Sequence, residues 1–140
     1  MTDATVLRTV ALGDEMTPLV RTVTQEQVNA YADASGDHNP IHVDADFAQS
    51  VGLPGTIVHG LLEMGVLTEA VARWAGGYDR VMSVSCRFSK PLLPGSAITC
   101  SGQVVEVDPA AGTATLEITA VSSSGDRVLT TGRATVRLPL

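Results

Sequence analysis

The hydrophobic period of this chain changes once, and that change constrains the fold more than any other feature. Over residues 59–75, Leu62, Val66 and Val71 recur at helical intervals with Leu61, Leu67 and Ala70 between them. About five turns of helix therefore carry apolar side chains on most faces, and such a helix has to be wrapped by other structure. Gly76-Gly77 stops it. From Met82 the period is two: Met82, Val84, Cys86 and Phe88 alternate with Ser83, Ser85, Arg87 and Ser89, which predicts a strand with the first set buried. Residues 97–107, 113–121 and 128–138 continue as strands, with residues 108–112 and 122–126 as hairpin loops. In the middle one, Ala114, Leu116, Ile118 and Ala120 share one face and Thr113, Thr115, Glu117 and Thr119 the other, the pattern of an antiparallel meander with one wet face. The architecture predicted is α+β, with the apolar helix packed on the inner face of the sheet.

The first half is more broken. Thr24 and Gln27 have capping-box spacing, and Val28, Tyr31 and Ala32 follow at helical intervals, so a helix is predicted over about residues 24–34, ending near Ser35-Gly36. Residues 37–40 show no period, and Asn39-Pro40 is a turn-forming pair, which predicts a loop of fixed shape. Asp44 then caps a short helix through Phe47 and Ala48, closed by Gly52 before Leu53-Pro54-Gly55. With no repeat or linker, residues 1–140 are expected to form a single domain, long enough to hold together without disulfides or a structural metal. The two cysteines, Cys86 and Cys100, lie in predicted strands without CxxC spacing and are expected to be free core thiols. Nine Lys plus Arg against fifteen Asp plus Glu leave a net charge of −6, the wrong sign for a protein that neutralises nucleic-acid phosphates. Residues 1–10 include Asp3 and Arg8 and no apolar run, so no secretory leader is expected. Residues 56–75 are interrupted by His59, Glu63, Glu69 and Arg73, so no membrane span is expected either, and the expected location is cytoplasmic.

His38, His42 and His59 are the only histidines, and all fall in this broken region or at the start of the long helix, beside Asp37 and Asn39. An Asp and a His five residues apart on a rigid turn can meet at one point, where the carboxylate takes a proton from water and the imidazole orients or donates one. The spacing alone more often marks a solvated loop with a turn-capping Asp. His59-Gly60 opens the apolar helix, where free N–H groups and the helix dipole favour a polarised carbonyl oxygen; the bland alternative is a packing glycine. His38, His42, His59 and Asp37 also have metal-ligand chemistry, but His38 and His42 sit across a Pro-containing turn rather than on one helix face, and no metal is expected. Without GxSxG, GxGxxG or P-loop patterns, no nucleophilic serine and no cofactor is expected.

Two motifs carry a family resemblance: Tyr31-Ala32-x-x-Ser35-Gly36-Asp37-x-Asn39-Pro40-Ile41-His42 followed by Phe47-Ala48, and Gly52-Leu53-Pro54 through Ile57-Val58-His59-Gly60-Leu61. Arg87-Phe88-x-x-Pro91 and Pro94-Gly95 extend the match over nearly the whole chain. The sequence resembles the MaoC-like, (R)-specific enoyl-thioester hydratases, and among them the short single-domain dehydratases of acyl-carrier-protein-dependent fatty-acid elongation. The resemblance implies a hotdog fold, a curved antiparallel sheet around one long helix, with residues 37–54 as the hydratase overhang. It implies a lyase that adds water reversibly to trans-2-enoyl thioesters of CoA or acyl carrier protein, giving (3R)-hydroxyacyl thioesters. It also implies Asp37 and His42 as the catalytic pair, Asn39 as a water-positioning residue, the Gly60 N–H as oxyanion hole, and Thr68 as a hydroxyl supporting the pair. The residues themselves favour the other reading of Thr68, a helix-facing hydroxyl satisfied by a backbone carbonyl.

Glu63 departs from expectation, because a lone carboxylate one turn into a buried helix is costly, so it is expected at a rim or against a dimer partner. Its alternative place is near substrate, where it keeps a hotdog thioesterase in play as a second reading. A third reading is a non-catalytic acyl-binding or heterodimer subunit, against which both Asp37 and His42 count. A homodimer is expected because the sheet leaves an edge strand open, with a heterodimer as the variant arrangement.

Overall fold

The computed structural model describes residues 9–140, so the expectation for residues 1–10 falls almost wholly outside the described residues. Five strands form one antiparallel sheet in the order β1-β3-β4-β5-β2. They are β1 (Glu15–Thr22), β2 (Val81–Phe88), β3 (Ala97–Asp108), β4 (Thr113–Ser122) and β5 (Arg127–Arg137). Four helices precede β2: α1 (Gln25–Ser35), α2 (Pro40–Val43), α3 (Ala45–Ser50) and α4 (Gly60–Ala75), with a 3-10 turn at Tyr78–Arg80.

The core lies between α4 and the sheet. Leu67, Ala70, Val71 and Ala75 of α4 are buried with Ile98 and Cys100 of β3, Leu116 and Ile118 of β4, and Leu129 of β5. The period-two face read in the sequence, Ala114, Leu116, Ile118 and Ala120, is buried throughout. Glycines let three strands close on one another along a single row. Ile118 is paired with Gly102 on one side and Gly132 on the other, and a Cβ at Gly102 would stand 2.8 Å from the Ile118 side chain. At Gly132 a Cβ would also collide with the Ile118 carbonyl oxygen, so that position has no room for a side chain. Cys86 and Cys100 are both free thiols, Cys100 buried and pushed up to about 12 by desolvation.

Three features differ from the sequence reading. The first strand was not anticipated, because Pro18 breaks its pattern and its pairing with β3 shifts register between Met16 and Leu19. An edge strand tolerates both, since a missing N–H there costs no central ladder bond. Pro40 does not simply end a loop: it occupies the first turn of α2, whose N-cap is Asn39. A fixed φ suits that position. The face assignment of β2 is corrected: Met82 and Phe88 are about half exposed, 51% and 50%, and only Val84 and Cys86 of the expected face pack against the core. Its pairing with β5 shifts register between Val81 and Ser83 and between Ser85 and Arg87, and each shift breaks the period-two alternation.

Among the described residues no helix is long and apolar enough to cross a membrane.

Candidate active site

The segment after α1 is held by its own side chains. The helix ends at Gly36, at φ 77°, a left-handed cap that suits glycine. The Asp37 N–H then donates to Ser35 Oγ, the Asn39 N–H to Asp37 Oδ1 and the Ile41 N–H to Asn39 Oδ1, each at 3.2 Å. These successive turns explain why Ser, Asp and Asn stand at alternate positions. They occupy one Asp37 oxygen and leave Oδ2 to face His42 Nε2 at 3.9 Å. Asn39 thus acts on the backbone of the loop, its amide oxygen capping α2.

His42 is buried on α2 and bonded through Nδ1 to the Ile57 carbonyl at 2.8 Å. A carbonyl can only accept, so Nδ1 carries the proton and Nε2, toward Asp37, presents a lone pair. The Ile57 N–H returns a bond to the Ile41 carbonyl, so the imidazole is fixed to the segment leading into α4. Beneath it lies His59, the N-cap of α4, its ring stacked on His42 at 3.8 Å and 22°, with the Tyr31 ring tilted against it at 4.7 Å between centroids. By the same reasoning His59 Nε2–H donates to the Asp37 carbonyl, at 3.1 Å, and Nδ1 is buried with no hydrogen-bond partner among the described residues. His59 ties the two sequence motifs together. The concentration of histidines pointed to it, but spacing alone could not show that it supports both Asp37 and His42.

Gly60 is the first residue of α4, which has no side-chain cap, and the first bonds to the His59 carbonyl come from Leu62 and Glu63. A Cβ on Gly60 would stand 3.0 Å from the Phe88 ring. A cavity of about 370 Å³ opens here, lined by His42, Leu53, Ile57, Gly60, Glu63 and Phe88 among others. Its wall is mostly apolar with few polar groups, the usual character of a small-molecule site.

Glu63 is not at a rim. It is 3% exposed and lines this cavity, and the Leu92 N–H donates to its carboxylate. Desolvation dominates, raising its pKa to about 8. Thr68 is not brought to the cavity: its hydroxyl donates to the Met64 carbonyl at 2.8 Å, two turns along α4 from Gly60. His38 lies apart at the surface, 3.9 Å from Asp33. Donor atoms of Asp37, His42 and His59 come within 4.8 Å of one another, close enough to invite a metal ion. The stacked rings send their in-plane lone pairs side by side rather than to one point, and one nitrogen of each is already committed to a carbonyl.

A family model, the MaoC like domain, matches residues 9–125. The chain is 30% identical over 122 residues to 3-hydroxybutyryl-CoA dehydratase of Methylorubrum extorquens, covering 86% of this chain and 76% of that one. It is 40% identical over 77 residues to fatty acid synthase subunit beta of Saccharomyces cerevisiae, 54% of this chain but only 4% of that much longer protein. Among solved structures, an (R)-hydratase from A. caviae involved in PHA biosynthesis superposes with a TM-score of 0.85 at 26% identity, covering 94% of this chain and 99% of that one.

Proposed function

We propose that this chain, which belongs to the MaoC-like domain family and has its hotdog fold, adds water reversibly to trans-2-enoyl thioesters to give (3R)-hydroxyacyl thioesters. One observation carries the reading: Asp37 Oδ2 and His42 Nε2 stand 3.9 Å apart as two acceptors, and His42 lines an apolar cavity together with Gly60 at the start of α4. The gap suits one bridging water, which donates a hydrogen to each and keeps an oxygen lone pair for the substrate. As that oxygen bonds C3, one water proton passes to the Asp37/His42 pair and the C2=C3 electron pair shifts toward the thioester carbonyl. The pair then returns the proton to C2, so that one water is added and no charge remains. Dehydration is the reverse.

The Gly60 N–H supports this step by stabilising the carbonyl oxygen as negative charge builds on it. Asn39 and His59 are positioning residues, the first shaping the loop and the second gripping the Asp37 carbonyl while stacking on His42. No cofactor enters this chemistry. The acyl carrier is CoA or acyl carrier protein, and the domain acts as a homodimer or with a related partner in the cytoplasm. Hydrolysis of the thioester is disfavoured by the state of Glu63, which at neutral pH is an acid rather than a base.

The test is to follow crotonyl-CoA by loss of enoyl absorbance and to determine the configuration of the product. A (3R) product formed without thiol release is expected. Thiol release from saturated acyl-CoA that survives Asp37→Asn would overturn the reading in favour of a thioesterase.

A further inference from the structure

Glu63 is a charged-type side chain that the proposed hydration leaves unused, and it is buried in the wall of the same cavity. It stands in the first turn of α4, three residues after Gly60. Side chains of a helix lean toward its N-terminus, so the carboxyl group reaches back to the end where the Gly60 N–H is free. Both residues line the same cavity, His42 lines it too, and the surrounding wall is largely Leu53, Ile57, Val58, Phe88 and Pro91. The Leu92 N–H occupies one acceptor site of the carboxyl group without neutralising it. Burying a carboxyl here is a cost to the fold that an apolar residue would avoid, and the cavity is the place where that group can be used.

We propose that Glu63 contacts the substrate, its carboxyl O–H donating a hydrogen bond to the thioester carbonyl oxygen beside the Gly60 N–H. This rests on the hydratase reading and deepens it: the oxyanion site has two donors, one from the backbone and one from a side chain. A carboxylic acid does this only while it holds its proton, and burial keeps Glu63 protonated at neutral pH. The titratable and charged groups around it are His42 on α2, His59 at the cap of α4, Lys90 on the cavity wall after β2, and the thiols Cys86 on β2 and Cys100 on β3, both raised in part by its charge. Desolvation by the apolar wall outweighs the Leu92 N–H and keeps the acid neutral. Ionisation removes the donor and places a negative charge where the transition state accumulates one. The reaction therefore fails as pH rises through the Glu63 pKa of about 8.

The experiment uses crotonyl-CoA labelled with carbon-13 at the carbonyl, bound to the full chain carrying Asp37→Asn so that turnover is slow on the time scale of the measurement, and reads the carbonyl stretch by isotope-edited infrared spectroscopy. A shift to lower frequency is expected, and adding Glu63→Leu should remove a distinct part of it. Turnover by chains with intact Asp37 is the second readout. Glu63→Leu should lower kcat at pH 7 by on the order of tenfold to a hundredfold. Glu63→Gln, which keeps a donor and cannot ionise, should recover most of that loss and abolish the fall in rate above pH 8. A carbonyl shift that Glu63→Leu leaves intact, or an alkaline limb that Glu63→Gln leaves in place, overturns the proposal while sparing the hydratase reading. The absence of any shift in the Asp37→Asn chain overturns both. A rate that rises as Glu63 ionises, with thiol released, makes it a hydrolytic base and refutes the donor role.

Discussion

Replacing Glu63 by Gln should make the protein more stable, and by an amount that depends on pH in a defined way. In the folded chain the carboxyl group titrates near 8, whereas its ordinary value is 4.5. The folded state therefore binds this proton more tightly than the unfolded state does. Below about pH 4.5 the group is neutral in both states and glutamate and glutamine chains differ little. Between 4.5 and 8 the unfolded state gains by releasing the proton, so wild-type stability falls as pH rises, by about 1.4 kcal/mol per pH unit. At pH 7 the accumulated penalty is about 3 kcal/mol, and beyond pH 8 it levels off near 5 kcal/mol. Glutamine has no such penalty, since its amide is neutral at every pH. Urea denaturation of both chains at pH 5, 7 and 9 measures the difference directly, and at pH 7 it corresponds to a rise in melting temperature of about 10 °C. Parallel stability–pH curves for the two chains would refute the reasoning. So would a gap that closes as pH rises, because the carboxylate would then be stabilised in the fold.

Asp37→Asn and His42→Gln should each lower kcat toward a trans-2-enoyl thioester by at least about two orders of magnitude; exposed Asp37 should change stability little, whereas buried His42 also gives up its stack on His59, and the double variant should be scarcely worse in turnover if, as proposed, both act on one water. Fully additive losses in steady-state kinetics would separate their roles. Gly60→Ala sets a methyl group 3.0 Å from the Phe88 ring and should cost on the order of a hundredfold in turnover without unfolding. If crowding is the cause, adding Phe88→Ala should restore part of the rate, and a Gly60→Ala chain as fast as wild type would place carbonyl polarisation elsewhere. The open edge of β2, with Met82 and Phe88 half exposed, should be covered by a second copy, and light scattering that finds an active, stable monomer would refute this.

The sequence is legible where one residue pattern has one structural meaning. The buried face of β4 and the all-round apolar surface of α4 both follow from spacing, and Thr24 with Gln27 forms the expected reciprocal cap. Asp37 and His42 stand out in the sequence as a candidate pair because an acid, an amide and an imidazole fall within six positions of one loop, and the structure brings the two within 3.9 Å. What escapes is whatever depends on the partner across space. The first strand hides behind Pro18, and Met16 is its one fully buried residue, too little to show a period. The outward turn of Met82 and Phe88 is decided by register shifts against β5, more than forty residues further along the chain. Glu63 looked like a rim residue because burial of an acid is uncommon, and only the fold reveals that a cavity lies beside it. The stack of His42 on His59 joins residues seventeen positions apart through α2 and the cap of α4, and neither motif predicts it.

The row formed by Gly102, Ile118 and Gly132 has a consequence for how this domain can be recombined with its relatives. Each glycine is a vacancy cut to the shape of one isoleucine, so β3, β4 and β5 are matched as a set. A chimaera that imports β4 with a smaller residue at 118 inherits two unfilled notches, and one that imports β5 with any side chain at 132 meets the backbone of β4. The three strands should therefore be exchanged together or not at all. Crossover points belong instead in the turn before β3 and at the helix ends, where the loop and the site it carries can be swapped onto a sheet that stays whole.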